Sequence, residues 1–203
     1  MSYTTVLITR ANRGLGKGFL QCYAARENHI VIAANRDPEH PASKTLKGLP
    51  IGKGSRLNVI KLDASVEFDA TAAVQEVVAT QQIDHLDIVI ANAGIAYGYP
   101  TASELKTSDL LARYNAAFEK VCEPKAGDNG FLRGMAPLSI YLQLVTIWIQ
   151  PDMGNTSACF LGFQEAPDGI DKSCDGIVKV IGVAAKQTHG GKIQSYEGKQ
   201  QAW

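Results

Sequence analysis

The chain lacks almost every feature that would tie it to a specialised environment. Its 20 basic and 20 acidic residues cancel, and they are spread along the sequence with no basic face and no acidic tail. Nothing in the charge therefore calls for nucleic acid or an anionic membrane as a partner. No run approaches the ~18 consecutive apolar residues that a membrane helix requires. The opening MSYTTVLITR has no basic stretch leading into a long apolar core, so neither a secretory signal nor an anchor is expected and the setting reads as cytoplasmic. The four cysteines, Cys22, Cys122, Cys159 and Cys174, are far apart and form no CxxC pair. They read as reduced thiols in or near the core. His29, His40, His85 and His189 show no ligand spacing, and no metal is expected.

What is present is an ordinary globular composition: 203 residues, 45% hydrophobic and 20% charged. A chain of this length buries a core without disulfide or metal staples, and one domain is the natural expectation. Its organising stretch runs from Thr4 to Gly18, TTVLITRANRGLGKG. Val6, Leu7 and Ile8 form an apolar run of strand length, and Gly14, Gly16 and Gly18 open a segment with helical spacing. Such a turn presents backbone N–H groups and the helix dipole to an anion, and missing Cβ atoms let phosphate approach. A plain strand-to-helix turn has the same pattern, so the rest of the chain must decide.

Leu15, Phe19, Leu20, Tyr23 and Ala24 mark one face of a helix expected to end near Asn28. A second strand, His29–Ala34, follows and is broken by Asn35-Arg36-Asp37-Pro38. This strand end lies about twenty residues beyond the glycine turn, where dinucleotide folds meet the adenosine ribose. An acid there favours NAD, whereas a cation pairs with the extra phosphate of NADP. Arg36 therefore favours NADP(H), its other reading being a solvated surface arginine. A turn over Gly48–Arg56 leads to a third strand, Leu57–Leu62, closed by Asp63. Ala70, Ala73, Val74, Val77 and Val78 share a helical face, and His85–Ala91 is a nearly all-apolar fourth strand. This alternation predicts an α/β fold with a parallel sheet.

The fourth strand runs into Asn92-Ala93-Gly94. Together with the glycine turn, Arg36 and Asp63, this resembles the short-chain dehydrogenase/reductase family. Gln150–Asn155, Asp171–Lys186 and Gly191–Gly198 are similar to the C-terminal region of its fungal norsolorinic acid ketoreductase-like members. The resemblance implies a single NAD(P)-binding domain over residues 1–203, a Rossmann-type doubly wound parallel sheet with a nucleotide-binding half (1–95) and a degenerate second half (96–203). It implies NADP(H) held by Thr9, Arg10, Arg13, Gly14, Leu15, Gly16, Arg36, Asp63, Asn92, Ala93 and Gly94, with Asp63 at the adenine and the Asn-Ala-Gly supporting the sheet beside the cofactor. It further implies a small-molecule ketone or alcohol as substrate and a homo-oligomer as the assembly.

The second half departs from that pattern. The family's proton donor is a tyrosine with a lysine four residues on, and no Tyr-x-x-x-Lys occurs in this chain. Tyr141 in Ala136-Pro-Leu-Ser-Ile-Tyr141 is the best candidate, but Val145 stands where the lysine belongs, and a strand or core tyrosine is the competing reading. The region that should carry the family's serine reads Lys125–Gly130, a turn, and Ser139 is too close to Tyr141 to inherit the role. Asn115 takes the family's asparagine position in one alignment, and Ala117 in another. Segment 138–149 is apolar and β-branched, read as one or two core strands in place of the long helix that builds the family's oligomer interface. At the glycine turn, Arg10 replaces the first glycine, where it either crowds the pyrophosphate or offers it a guanidinium. Two functions compete: an NADPH-dependent ketoreductase of secondary metabolism with Tyr141 as its acid, or a pseudoenzyme that binds NADP(H) and regulates or scaffolds.

Overall fold

The computed structural model describes residues 3–81, 83–93, 143–144, 155, 158–159, 163–166, 168–190 and 192–201. They fall in two compact units, Met1–Met135 and Ala136–Trp203. Asn115, Ala117, Ser139, Tyr141 and Val145 lie outside the described residues, as does Gly94.

In the first unit, β1 (Thr4–Thr9), β2 (His29–Asn35), β3 (Arg56–Lys61) and β4 (Ile88–Ile90) form a sheet in the order β3-β2-β1-β4. Every pairing is parallel, with Thr4 opposite His29, Ile30 opposite Arg56 and Val6 opposite Ile88. The expected α/β fold is therefore the observed one. Helices α1 (Gly14–Ala24), α2 (Pro41–Lys44) and α3 (Asp69–Gln81) connect the strands, with a 3-10 turn at Thr45–Gly48. Strand alternation sends Leu7, Ile30, Ile32 and Ala34 to one face, where they pack with Ile60, Leu62, Ile83, Leu86 and the α3 residues Ala73 and Val77. Val6, Ile8, Val31 and Ala33 alternate with them and are fully buried. Phe19, Leu20 and Tyr23 of α1 are also buried, yet belong to no part of the α3 cluster. Burying one such aliphatic side chain is worth about 1.5–3 kcal/mol, so β1 and β2 hold the layers together.

Boundaries differ from expectation for local reasons. Helix α1 stops at Ala24, and Asn28 takes a left-handed φ of 55° before β2, a conformation asparagine tolerates better than most residues. The fourth strand is shorter than His85–Ala91. Asp87 accepts from Thr5 N–H through its carboxylate at 2.7 Å and donates its own N–H to Thr5 O at 3.0 Å. A side chain there takes the place of a ladder carbonyl, and main-chain pairing starts only at Ile88.

In the second unit, β5 (Gln143–Leu144) comes first, α4 (Ile170–Val183) and a short α5 (Lys186–His189) follow, and β5 forms a sheet with β6 (Ile193–Gln194) and β7 (Gln200–Gln201). Strands β5 and β6 pair in parallel, β6 and β7 antiparallel. The helical stretch expected over Asp171–Lys186 is split, because Ala184 adopts an extended ψ of 135° after Gly182 and Val183, two poor helix formers. Of segment 138–149, only the strand pair Gln143–Leu144 is described. Among the described residues no helix is long and apolar enough to cross a membrane, and no three His, Cys, Asp or Glu side chains gather as a metal site would require.

Candidate functional site

The strand order places β2 and β3 on one side of β1 and β4 on the other. The C-terminal ends of β1 and β4 are thus a topological switch point, the place where open α/β sheets bind ligands. Thr9 closes β1 there, 1% exposed. Its hydroxyl accepts from the N–H groups of Asn92 at 2.9 Å and Ala93 at 2.8 Å and donates to Ile90 O at 3.5 Å. The Asn92 amide donates in turn to Thr9 O at 3.1 Å and Arg10 O at 3.4 Å. Thr9, Asn92 and Ala93 therefore lock the two strand ends together, and the threonine hydroxyl is committed to that task.

Arg10 stands at φ 53°, in the left-handed region, as does Gly14. Arg10 thus holds a backbone conformation suited to glycine, at a cost of about 1–2 kcal/mol for a residue with a Cβ. Its N–H still donates to Ala34 O at 2.8 Å. Gly16 is needed for packing: a Cβ there would collide with Arg10 O and come within 2.5 Å of Asn92 Nδ2. Helix α1 begins with no acidic residue in its first turn, and the extended N-cap, Arg13, makes no side-chain capping bond. No carboxylate of the first turn therefore neutralises its positive end. Leu15 in that turn is half-buried, and Arg13 is exposed.

At the neighbouring strand ends, Arg36 and Asp63 meet. Arg36 Nε lies 3.1 Å from Asp63 Oδ2, with the arginine side chain 71% exposed and the aspartate 17%. Asp63 Oδ1 accepts from Ser65 N–H at 3.0 Å and Ser65 Oγ at 2.7 Å. Partial burial pushes the Asp63 pKa up, but the two Ser65 bonds and the Arg36 and Lys61 charges outweigh it and hold the carboxyl below its ordinary range. Sequence reasoning placed both residues at the nucleotide but not in contact with each other.

It also missed Asn12 and Ser43. Asn12 Nδ2 donates to Ser43 Oγ at 3.3 Å, and the fully buried Ser43 hydroxyl donates to Asp37 O at 2.7 Å. The glycine turn is thereby tethered to the segment that carries Arg36. No motif spacing connects residues 12 and 43, so only the fold reveals the link. These residues suit a nucleotide with an anionic linker: an uncapped helix end, a glycine with no room for a Cβ, and an exposed guanidinium beyond β2.

In the second unit a different cluster forms. Tyr196 Oη donates to Asp168 Oδ1 at 2.7 Å, and Lys172 Nζ lies 5.5 Å from the centre of its ring. The bond to Asp168 pushes the phenol pKa up, against a smaller lowering by Lys172. A proton held this way is the opposite of what a tuned acid catalyst needs.

A family profile described as short chain dehydrogenase matches residues 4–120. The chain is similar to a norsolorinic acid ketoreductase of Dothistroma septosporum, 30% identical over 249 aligned positions that cover 98% of this chain and 92% of that protein. It is also 30% identical to a norsolorinic acid ketoreductase of Emericella nidulans, covering 94% of this chain and 89% of that protein. The first alignment is longer than the 203 residues of the chain, so the relative carries residues with no counterpart here. Among solved structures, an NADPH-bound carbonyl reductase from chicken fatty liver has the same fold, with a TM-score of 0.69 at 22% identity and full coverage of both chains. The switch-point geometry, the profile match over more than half the chain and the near-complete alignments agree: the chain belongs to the short-chain dehydrogenase/reductase family, whose members use NAD(P)H.

Proposed function

We propose that the protein is an NADPH-dependent reductase of a ketone in a polyketide or similar small secondary metabolite. The reading is carried by the similarity, over nearly the whole chain, to two norsolorinic acid ketoreductases. It takes residues 1–203 as one NAD(P)-binding domain working in the cytoplasm. The glycine turn at Gly14, Leu15 and Gly16 receives the pyrophosphate, Arg36 and Arg13 face the 2′-phosphate, and Arg10 lies beside the turn. Thr9, Asn92, Ala93 and Gly94 form the floor. When bound, NADPH supplies the hydride for the carbonyl carbon. Tyr141 delivers the proton to the carbonyl oxygen, and Asn115 orders a water behind it. With Val145 in place of lysine, no cation at that position stabilises a phenolate, and proton transfer from Tyr141 is expected to be slow.

The absent Tyr-x-x-x-Lys favours a second reading, a protein that binds NADP(H) without turning it over. Two measurements separate them. Oxidation of NADPH by aromatic ketones above the no-enzyme background, at high protein concentration, is the outcome expected of the reductase. Fluorescence titration that shows NADPH binding with no such oxidation supports the binding protein. Failure to bind NADPH removes both.

A further inference from the structure

The ion pair between Arg36 and Asp63 joins two residues to which the family pattern gives separate tasks. We infer that Asp63 sets the preference for NADP(H) over NAD(H) by orienting the Arg36 guanidinium, and is thus a positioning residue for the 2′-phosphate. The inference rests on the cofactor reading proposed above.

Three observations carry it. First, the contact is made by Arg36 Nε, 3.1 Å from Asp63 Oδ2. An arginine has five N–H donors, and pairing through Nε leaves those of the two terminal nitrogens outside this contact, in the fork that matches a phosphate. Second, the anchor is the better buried partner, 17% against 71% exposed. Third, the anchor is itself fixed. Ser65 donates twice to its other oxygen, and its backbone N–H donates at 2.9 Å to Asp69 Oδ2, at the start of α3. Asp69 is paired with Lys61 at 3.3 Å. Leu62 N–H donates to Asn35 O at 2.9 Å, which ties the residues before Asp63 and Arg36 together.

A carboxylate beside a phosphate site also repels the phosphate, so the sign has to be argued. Arg36 stands at the exposed end of its pair, where water and salt screen the repulsion. Without Asp63, this long and largely exposed side chain would have to be ordered from many rotamers by the ligand itself. Lost preorganisation therefore outweighs relieved repulsion, and removal of the carboxylate weakens NADPH binding.

The test measures dissociation constants of NADPH and NADH, by cofactor fluorescence, for the full chain and its Asp63→Asn, Arg36→Ala and doubly substituted variants. The native chain is expected to prefer NADPH. Asp63→Asn is expected to lower that preference by about threefold to tenfold, through weaker NADPH binding, with NADH changed by less than about twofold. In the Arg36→Ala background the same substitution is expected to leave the preference unchanged. Equal weakening of both cofactors assigns Asp63 to the adenine alone and overturns the inference, as does a gain in preference for NADPH. A native chain that binds both cofactors equally overturns the inference and the choice of NADP(H), but leaves the reductase reading intact. Should Asp63→Asn fail to fold, Arg36→Lys decides. It keeps the charge but has no Nε to anchor, so an unchanged preference for NADPH in that variant overturns the inference too.

Discussion

The two compact units of this protein spend their polar side chains differently. In the first, hydrogen bonds and an ion pair join segments far apart in sequence at the ends of strands: Thr9 bonds to Asn92 and Ala93, Asn12 to Ser43, and Arg36 pairs with Asp63. They hold the start of α1 and the Arg36 guanidinium in place at the strand ends. In the second, Tyr196 bonds to Asp168 ahead of α4, Lys199 pairs with Glu197 at 2.7 Å, and the turn from Ser195 to Lys199 closes on its own backbone. Among the described residues of that unit, these groups satisfy one another within a short stretch of chain. A family member can keep its nucleotide half legible while its second half loses the catalytic signature, because the two depend on different residues.

Two glycines give the sharpest contrast. A Cβ at Gly16 would strike Arg10 O and crowd Asn92 Nδ2, and a Cβ at Gly176 would strike Tyr196 O and lie 3.0 Å from Tyr196 Cδ2. Each position faces backbone, which cannot swing aside, so each alanine substitution is expected to destabilise by about 1–3 kcal/mol. Their effects on cofactor should differ. Gly16→Ala displaces the start of α1 from the switch point and should abolish measurable NADPH binding, whereas Gly176→Ala should leave the NADPH dissociation constant within about twofold once the protein is folded. Thermal melts and fluorescence titrations on both variants check this. Equal loss of binding in the two would show that the units are not independent in this respect.

A smaller effect is expected at the glycine turn itself. Arg10 occupies a backbone conformation that glycine adopts without penalty. Arg10→Gly should therefore stabilise the protein by about 1 kcal/mol, visible as a rise of a few degrees in melting temperature. The affinity change then tells which way the arginine acts. Tighter NADPH binding means that its side chain crowds the pyrophosphate, and weaker binding means that it contributes a guanidinium.

Much of the first unit is legible in the amino-acid sequence. Val6–Ile8, His29–Ala34 and Leu57–Leu62 are apolar runs of strand length bounded by breakers, and the observed strands fall on them within a residue or two. The fourth strand is legible in kind but not in extent, because nothing in the string His85-Leu-Asp87 shows that a carboxylate will take a ladder donor. The pairing of Arg36 with Asp63 is illegible for another reason. It depends on the register that sets Asn35 opposite Lys61, and register follows from the packed sheet rather than from either strand alone. Ser43 belongs to the same class: a serine in a polar loop reads as surface, yet the fold buries it completely. The candidate acid Tyr141 and the two candidates for the family's asparagine position, Asn115 and Ala117, lie outside the described residues.

The smallest expected effect concerns acid stability, and it tests whether the pair at the strand ends acts as described. The folded Asp63 carboxyl titrates below its ordinary range: burial pushes the pKa up, but the bonds from Ser65 and the charges of Arg36 and Lys61 push it down further. A carboxyl with a lowered folded pKa contributes stability that is present above its unfolded value of about 4 and is lost as the pH falls through the folded one. Asp63→Asn should therefore cost stability at pH 7 and cost less as the pH drops below about 4, so that the curves of the two proteins converge on the acid side. With Arg36 largely exposed, the charge part of that difference is expected to stay below about 1 kcal/mol. Urea melts between pH 3 and pH 7 measure it. A constant offset between native and variant across that range would mean that Asp63 acts through neutral hydrogen bonds alone, and that the ion pair with Arg36 contributes nothing to the folded state.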